Sequence, residues 1–167
     1  MALAEDLLAQ ARTLATLDDG IPSQANLRRA ISSAYYALFH LFIAEAVERL
    51  LPAEPPGLRE RASRAFSHGE MKQVCVRFLG KQIVEDFAPL LRVSFSPELK
   101  SIAQIFVNLQ EERHLADYDV SISLLRTETL LLLDEVQRGF ADWKLIRETD
   151  EATVFLAALL FGKRWDR

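Results

Sequence analysis

The chain contains a single cysteine, Cys75, in 167 residues. One thiol excludes an intramolecular disulfide and any zinc site built from several cysteines. Glycine and proline are scarce, six of each, where average usage would supply about 20 between them. Valine and isoleucine together number 17, against 27 leucines and 21 alanines. With few β-branched residues and many helix formers, a sheet-rich fold is excluded and an all-α one is expected. No basic stretch precedes the first apolar run, where Glu5 and Asp6 stand instead, so the start of the chain does not read as a secretory signal. The most apolar stretch, Ala34 to Val47, is interrupted by His40 and Glu45 and is short for a bilayer crossing. The sequence has no glycine-rich phosphate loop and no G-x-S-x-G elbow, so two common catalytic frameworks are missing. What remains, 50% hydrophobic and 26% charged residues, reads as one soluble, cytoplasmic domain over residues 1–167. No membrane association, metal or cofactor is expected.

The net charge of −4 speaks against a protein that coats nucleic acid wholesale. The charge is unevenly spread. Arg59, Arg61, Arg64, Lys72, Arg77 and Lys81 face only Glu60 and Glu70 within one segment, a local +4 that leaves −8 elsewhere. Such a run is either a solvated helix face or a place to meet phosphate.

Periodicity predicts an up-and-down four-helix core with additional helices at both ends. The first helix runs from Ala2 to Leu17, with Leu3, Leu7, Ala11 and Leu14 as its apolar stripe,. After the turn residues Asp18 to Pro22, Ser23 is a good N-cap for a second helix reaching Leu51,. Its middle, AYYALFHLFIAEAV, is apolar nearly all round, so it occupies a bundle centre or adds a subunit interface. A third segment spans Leu58 to Leu79, with a break expected at Gly69, and a long loop follows from Gly80 to Ser96. Ser96-Pro97 starts the fourth helix, whose seam Leu99, Ile102, Phe106 and Leu109 continues by one more step onto Arg113. The fifth helix covers Val120 to Arg147, with Ile122, Leu125, Thr129, Leu132, Val136, Phe140 and Trp143 inward. The run Leu130 to Leu133 exceeds what one seam needs, which argues for a homodimer. A last helix, Asp150 to Phe161, precedes the charged tail Lys163 to Arg167.

Few residues can carry chemistry. His40, Cys75 and His114 lie on separate segments, so no local metal spacing exists,. Arg29, Ser33, Tyr36 and His40 share a stripe of the second helix,. His40 is there either a satisfied core histidine or part of a binding face. Arg113 prolongs an apolar seam just before His114, Asp117 and Tyr118. It either pairs with Asp117 at i+4 near the helix C-terminus, or it binds a phosphate with His114 or Tyr118 beside it. Arg61, Arg64, His68 and Lys72 would share a face if the helix continued through Gly69. Histidine moving a proton beside a charge-stabilising arginine suits RNA cleavage without a metal, which makes His68, Arg61, Arg64 and His114 the catalytic candidates.

The stretches Asn26 to Val47, Arg64 to Cys75 and Glu112 to Val120 together resemble the HEPN superfamily. The patterns that carry the resemblance are R-x-x-x-x-x-x-Y-Y-A-x-F-H in the second helix and R-x-x-A-D-Y at the end of the fourth. It covers most of the chain, from about residue 23 to about residue 147, and implies a four-helix core, a homodimer and a cleft bordered by these two elements. Many members are metal-independent endoribonucleases of toxin–antitoxin and other defence systems. Others bind nucleotides or RNA without cleavage, or partner a nucleotidyltransferase. Catalytic members carry an arginine followed after four to six residues by a histidine; here four residues separate Arg113 from Tyr118, and no histidine follows. The resemblance therefore implies a degenerate site, with Arg113, His114, Asp117, Tyr118, Arg29 and His40 as its binding residues.

Overall fold

A computed structural model describes residues 2–80, 90–91 and 95–162. Among the described residues seven helices are formed: α1 (Ala2–Thr16), α2 (Gln24–Leu50), α3 (Pro56–Ser63), α4 (His68–Leu79), α5 (Pro97–Tyr118), α6 (Arg126–Ile146) and α7 (Asp150–Phe161). Among the described residues there is no strand, so the all-α fold class stands.

Local chemistry sets the helix ends. Asp18 accepts hydrogen bonds from the Ser23 backbone N–H and the Asn26 side chain, both at 2.9 Å, while Gly20 turns the chain at a φ of 84°, open to glycine at little cost. The Ser96 hydroxyl accepts the Leu99 N–H at 3.1 Å and Pro97 takes the first helical position, as the sequence predicts. Thr149 caps α7 in the same way, accepting the Ala152 N–H at 3.3 Å.

The helices gather into two compact units, Met1–Leu41 with Ile105–Phe140 and Phe42–Gln104 with Ala141–Arg167. In the first, side-chain pairs fix the helix directions. Gln10 meets Ser33, Arg12 meets Asp134, and the Arg126 side chain reaches the Asp18 carbonyl. Tyr36 meets Arg113 and Tyr35 packs on Phe106. Residue numbers rise on α1 as they fall on α2 and α6, and Arg28 reaches the Ala116 carbonyl while Tyr35 lies on Phe106, so α1 is antiparallel to α2 and α6, and α2 to α5. That is the up-and-down core. Its interior includes Leu27, Ala34, Tyr35, Leu38, Phe106, Leu109, Leu133 and Val136. The second unit centres on an aromatic cluster in which Phe42 lies 5.7 Å from Trp143 and 5.3 Å from Phe155, and Phe78 lies 5.0 Å from Phe155.

Several boundaries shift. The buried stripe of α1 is Ala4, Leu8, Ala11 and Ala15, one position on from the predicted one, and Leu3 is exposed. Small alanines let α1 lie close to its neighbours, a packing reason that hydrophobicity alone conceals. The α3–α4 break falls at residues 64–67, before Gly69, because Ser67 adopts an extended conformation and starts α4. The α6 helix begins at Arg126, leaving Ile122 and Leu125 outside it, and Leu125 is exposed. The predicted loop at 80–96 and the charged tail at 163–167 lie largely or wholly outside the described residues. The α2 helix is long and apolar enough to cross a membrane by length and hydropathy, yet 72% of that window is buried within the protein.

Asp18 offers a test of the first turn. Its hydrogen bond from Asn26, helped by the Ser23 N–H and the nearby Arg126 charge, holds its carboxyl below the usual aspartate range. A depressed folded value adds stability that is complete above the unfolded value and drains away as pH falls through the folded one. The difference in urea midpoint between wild type and Asp18→Ala should therefore shrink as pH falls below about 4; a difference that stays constant contradicts this.

Candidate functional site

Arg113 sits where the α5 seam runs out of apolar residues. Its Nε pairs with Asp117 Oδ2 at 2.7 Å, and the two side chains are only 20% and 19% exposed. Its Nη2 lies 3.5 Å from the Tyr36 hydroxyl. The guanidinium carbon is 5.7 Å from the ring centres of both Tyr35 and Tyr36, and 5.9 Å from that of Tyr118. Three electron-rich ring faces at this range stabilise a partly desolvated cation. Asp117 also lies 3.5 Å from the Ser32 hydroxyl.

The outer side of this cluster is open. Tyr118 is 64% exposed, and His114, also exposed, lies 5.0 Å from the Tyr118 ring. Next to Tyr36, His40 is partly buried, its ring 6.3 Å from that of Tyr36 and 5.5 Å from that of Phe39. Burial pushes its pKa below the usual histidine value, so at neutral pH it is an uncharged ring, unsuited to holding phosphate by charge. Arg29 is exposed on α2.

The arginine beside it was the one to notice. Arg28, the first residue of the R-x-x-x-x-x-x-Y-Y-A-x-F-H pattern, donates to the carbonyls of Ala116 at 2.7 Å, Asp119 at 2.9 Å and Ile122 at 2.8 Å. These oxygens belong to the end of α5 and the turn after it, where carbonyls lack helical partners. Arg28 therefore fixes the segment that carries Asp117 and Tyr118. Its place at the head of that pattern is the sequence signal for Arg28; the stripe of Arg29, Ser33, Tyr36 and His40 begins one residue later.

Of the predicted binding residues, the fold brings Arg113, His114, Asp117 and Tyr118 together with Tyr36, and His40 stands next to Tyr36. The catalytic candidates of the basic segment fare differently. Arg61 lies on α3, Arg64 at its C-cap and His68 at the start of α4, so the interrupted helix does not give them one continuous face. Arg64 pairs with Glu60 on the surface. These residues belong to the second unit and the Arg113 cluster to the first. Cys75 is buried, and burial drives its thiol pKa far up, which leaves it inert as a nucleophile. Among the described residues no group of three His, Cys, Asp or Glu side chains is placed to hold a metal ion.

No family model, curated protein or solved structure significantly matches the chain.

Proposed function

We propose that the chain is an HEPN-like, homodimeric helical module of the toxin–antitoxin or defence type, acting in the cytoplasm, that binds RNA or a nucleotide at the Arg113 cluster without cleaving it. One observation carries this reading. Two sequence patterns 77 residues apart meet at a single guanidinium, Arg113, beside Tyr36. The guanidinium offers a planar fork for phosphate, while the exposed rings of Tyr118 and His114 offer a face on which an unpaired base can stack. Asp117 already occupies Nε, so an incoming phosphate meets the remaining Nη donors against a nearby carboxylate, and modest affinity is expected.

Cleavage is a poorer fit. Tyr118 stands where catalytic members carry a histidine, and a phenol does not take up and release protons at neutral pH as an imidazole does. Metal-independent RNA cleavage at Arg113 would then depend on His114, on the adjoining position of the same helix, where neighbours diverge in direction. A second reading has its own support: the short Arg113–Asp117 pair by itself satisfies both charges, as a purely structural lock in a protein-interaction module would, for example one that partners a nucleotidyltransferase.

Titration of a labelled single-stranded RNA against the protein, followed by anisotropy at several salt concentrations, tests the proposal. Binding through one or two phosphates should give a slope of log K against log salt of roughly −0.7 to −1.4. Intact RNA on a sequencing gel is expected throughout. Absence of binding to RNA and to nucleotides at low salt would overturn the reading.

A further inference from the structure

Six arginines and no lysine lie in the first unit: Arg12, Arg28, Arg29, Arg113, Arg126 and Arg138. Five of them are engaged. Arg12 pairs with Asp134, Arg113 with Asp117 and Arg138, at 4.0 Å, with Glu135. Arg28 and Arg126 donate to backbone carbonyls. Arg29 is exposed, and among the described residues no hydrogen bond, ion pair or ring contact engages it. An unpaired surface arginine is ordinary by itself; this one stands in register with the Arg113 cluster.

Arg29, Ser33 and Tyr36 occupy i, i+4 and i+7 of α2, one above another on the same face,. Tyr36 touches Arg113, so Arg29 stands on that face about 10 Å further along the axis, toward the α2 N-terminus. Because α5 runs the other way, its C-terminal end lies level with Arg29. The adjacent Arg28 holds the carbonyls of Ala116 and Asp119, and Ser32, three residues from Arg29, lies 3.5 Å from Asp117. The exposed Tyr118 ring belongs to this level. Carboxylates at this end are taken up elsewhere: Asp18 by Ser23 and Asn26, Asp119 by Ser121, Asp117 by Arg113. Beyond Tyr36 in the other direction the stripe reaches His40, an uncharged ring at neutral pH,. Positive charge along the stripe therefore lies only toward Arg29. Asp117 and three rings hold the Arg113 guanidinium in place, so the two arginines form separate contacts.

Two cations set apart along a surface, with open aromatic rings at the same end of the unit, suit a strand better than a single phosphate. We infer that the ligand is an oligonucleotide and not a mononucleotide: one phosphate meets Arg113, a neighbouring phosphate meets Arg29, and a base lies on the Tyr118–His114 face. The strand then runs along α2 from Tyr36 toward the helix N-terminus. This rests on the proposed RNA binding at Arg113 and narrows it to ligands with at least two phosphates.

Anisotropy with a labelled oligoadenylate, and adenosine monophosphate as unlabelled competitor, tests the inference across a salt series. Wild type should bind the oligomer with a slope of log K against log salt of roughly −1.4, as two phosphate contacts require. Arg29→Ala should weaken oligomer binding about fivefold at low salt, the scale of an exposed ion pair, and reduce the slope to roughly −0.7. Competition by the monophosphate should be unchanged, since Arg113 alone holds it. Arg29→Lys should keep the wild-type slope, because counterion release counts charges. Arg138→Ala removes the same charge from an exposed position on α6 and should alter neither probe. Equal melting temperatures are expected for all of these variants, so a loss of binding is not a loss of fold. If Arg29→Ala loses no more than Arg138→Ala, or loses monophosphate and oligomer equally, the second phosphate contact is overturned while binding at Arg113 stands. A monophosphate that competes as tightly as the oligomer has the same consequence. Wild type that binds neither probe overturns the functional reading and the strand together.

Discussion

Arg28→Ala is expected to destabilise the protein by ~3 kcal/mol, since hydrogen bonds from a charged donor contribute ~1.5–3 kcal/mol each and three of them are not fully additive. For a chain of this size that lowers Tm by roughly 6–12 °C. The cause is local. Without Arg28 the carbonyls of Ala116, Asp119 and Ile122 lose their donor, and the end of α5 frays where Asp117 and Tyr118 sit. RNA binding should weaken along with stability. Arg28→Lys should recover part of it, because an ammonium reaches fewer of three diverging carbonyls than a guanidinium fork. Arg29→Ala, on the exposed side of the same helix, should stay within about 0.5 kcal/mol of wild type. Thermal melts of the three variants decide it, and equal losses at positions 28 and 29 would refute the clamp.

The second large effect lies in the other unit. Glu45 is completely buried in α2, and Arg147 approaches its carboxylate at 3.2 Å from a side chain that is 25% exposed. Arg147 also reaches Glu148, which in turn pairs with Arg49 at 2.9 Å. Removing one partner of a buried pair strands the other charge, at a cost of ~3–5 kcal/mol. The partial exposure of Arg147 puts Arg147→Ala at the lower end, about 3 kcal/mol, because water screens part of the interaction. Glu45→Leu combined with Arg147→Leu should cost far less than Arg147→Ala, since replacing both charges by apolar groups leaves nothing stranded. Urea unfolding of the single and double variants forms the check. A double variant as unstable as the single one would mean that the network, and not the unpaired carboxylate, sets the loss.

Much of the architecture was legible because each helix announces itself. Ser96-Pro97 marks its helix start by capping chemistry, and the seam Leu99, Ile102, Phe106 and Leu109 is buried throughout as its spacing demands. The α1 stripe was misplaced because Ala4 and Ala15 bury little apolar surface each, so a hydrophobicity pattern favours the larger Leu3 and Leu7. The break before His68 was misplaced because a glycine signals flexibility, whereas the observed stop depends on backbone geometry at residues 64–67. For the site, Arg113, Asp117 and Tyr118 could be picked out as a seam ending in polar residues. Arg28 could not be picked out by burial or spacing, because its three partners are backbone carbonyls, which carry no side-chain signature. The surroundings of Glu45 were hidden for a related reason: Arg147 lies about a hundred residues away in sequence, and single-chain periodicity says nothing about which helices meet.

If Arg113 is the proposed phosphate-binding group held beside a stacking face, Asp117 competes with the phosphate for it. Anisotropy titrations with single-stranded RNA should be run on wild type, Arg113→Ala, Arg113→Lys and Asp117→Asn, each checked for helical circular dichroism. Arg113→Ala should weaken binding by ~1.5–3 kcal/mol, or about 10- to 150-fold. Arg113→Lys should restore only part, lacking the planar fork. Asp117→Asn should bind RNA more tightly than wild type, because the competing carboxylate is gone while a hydrogen-bonding side chain of the same shape remains. A structural lock predicts the opposite pattern: Arg113→Ala and Asp117→Asn both lower the melting temperature, and neither changes RNA or nucleotide binding.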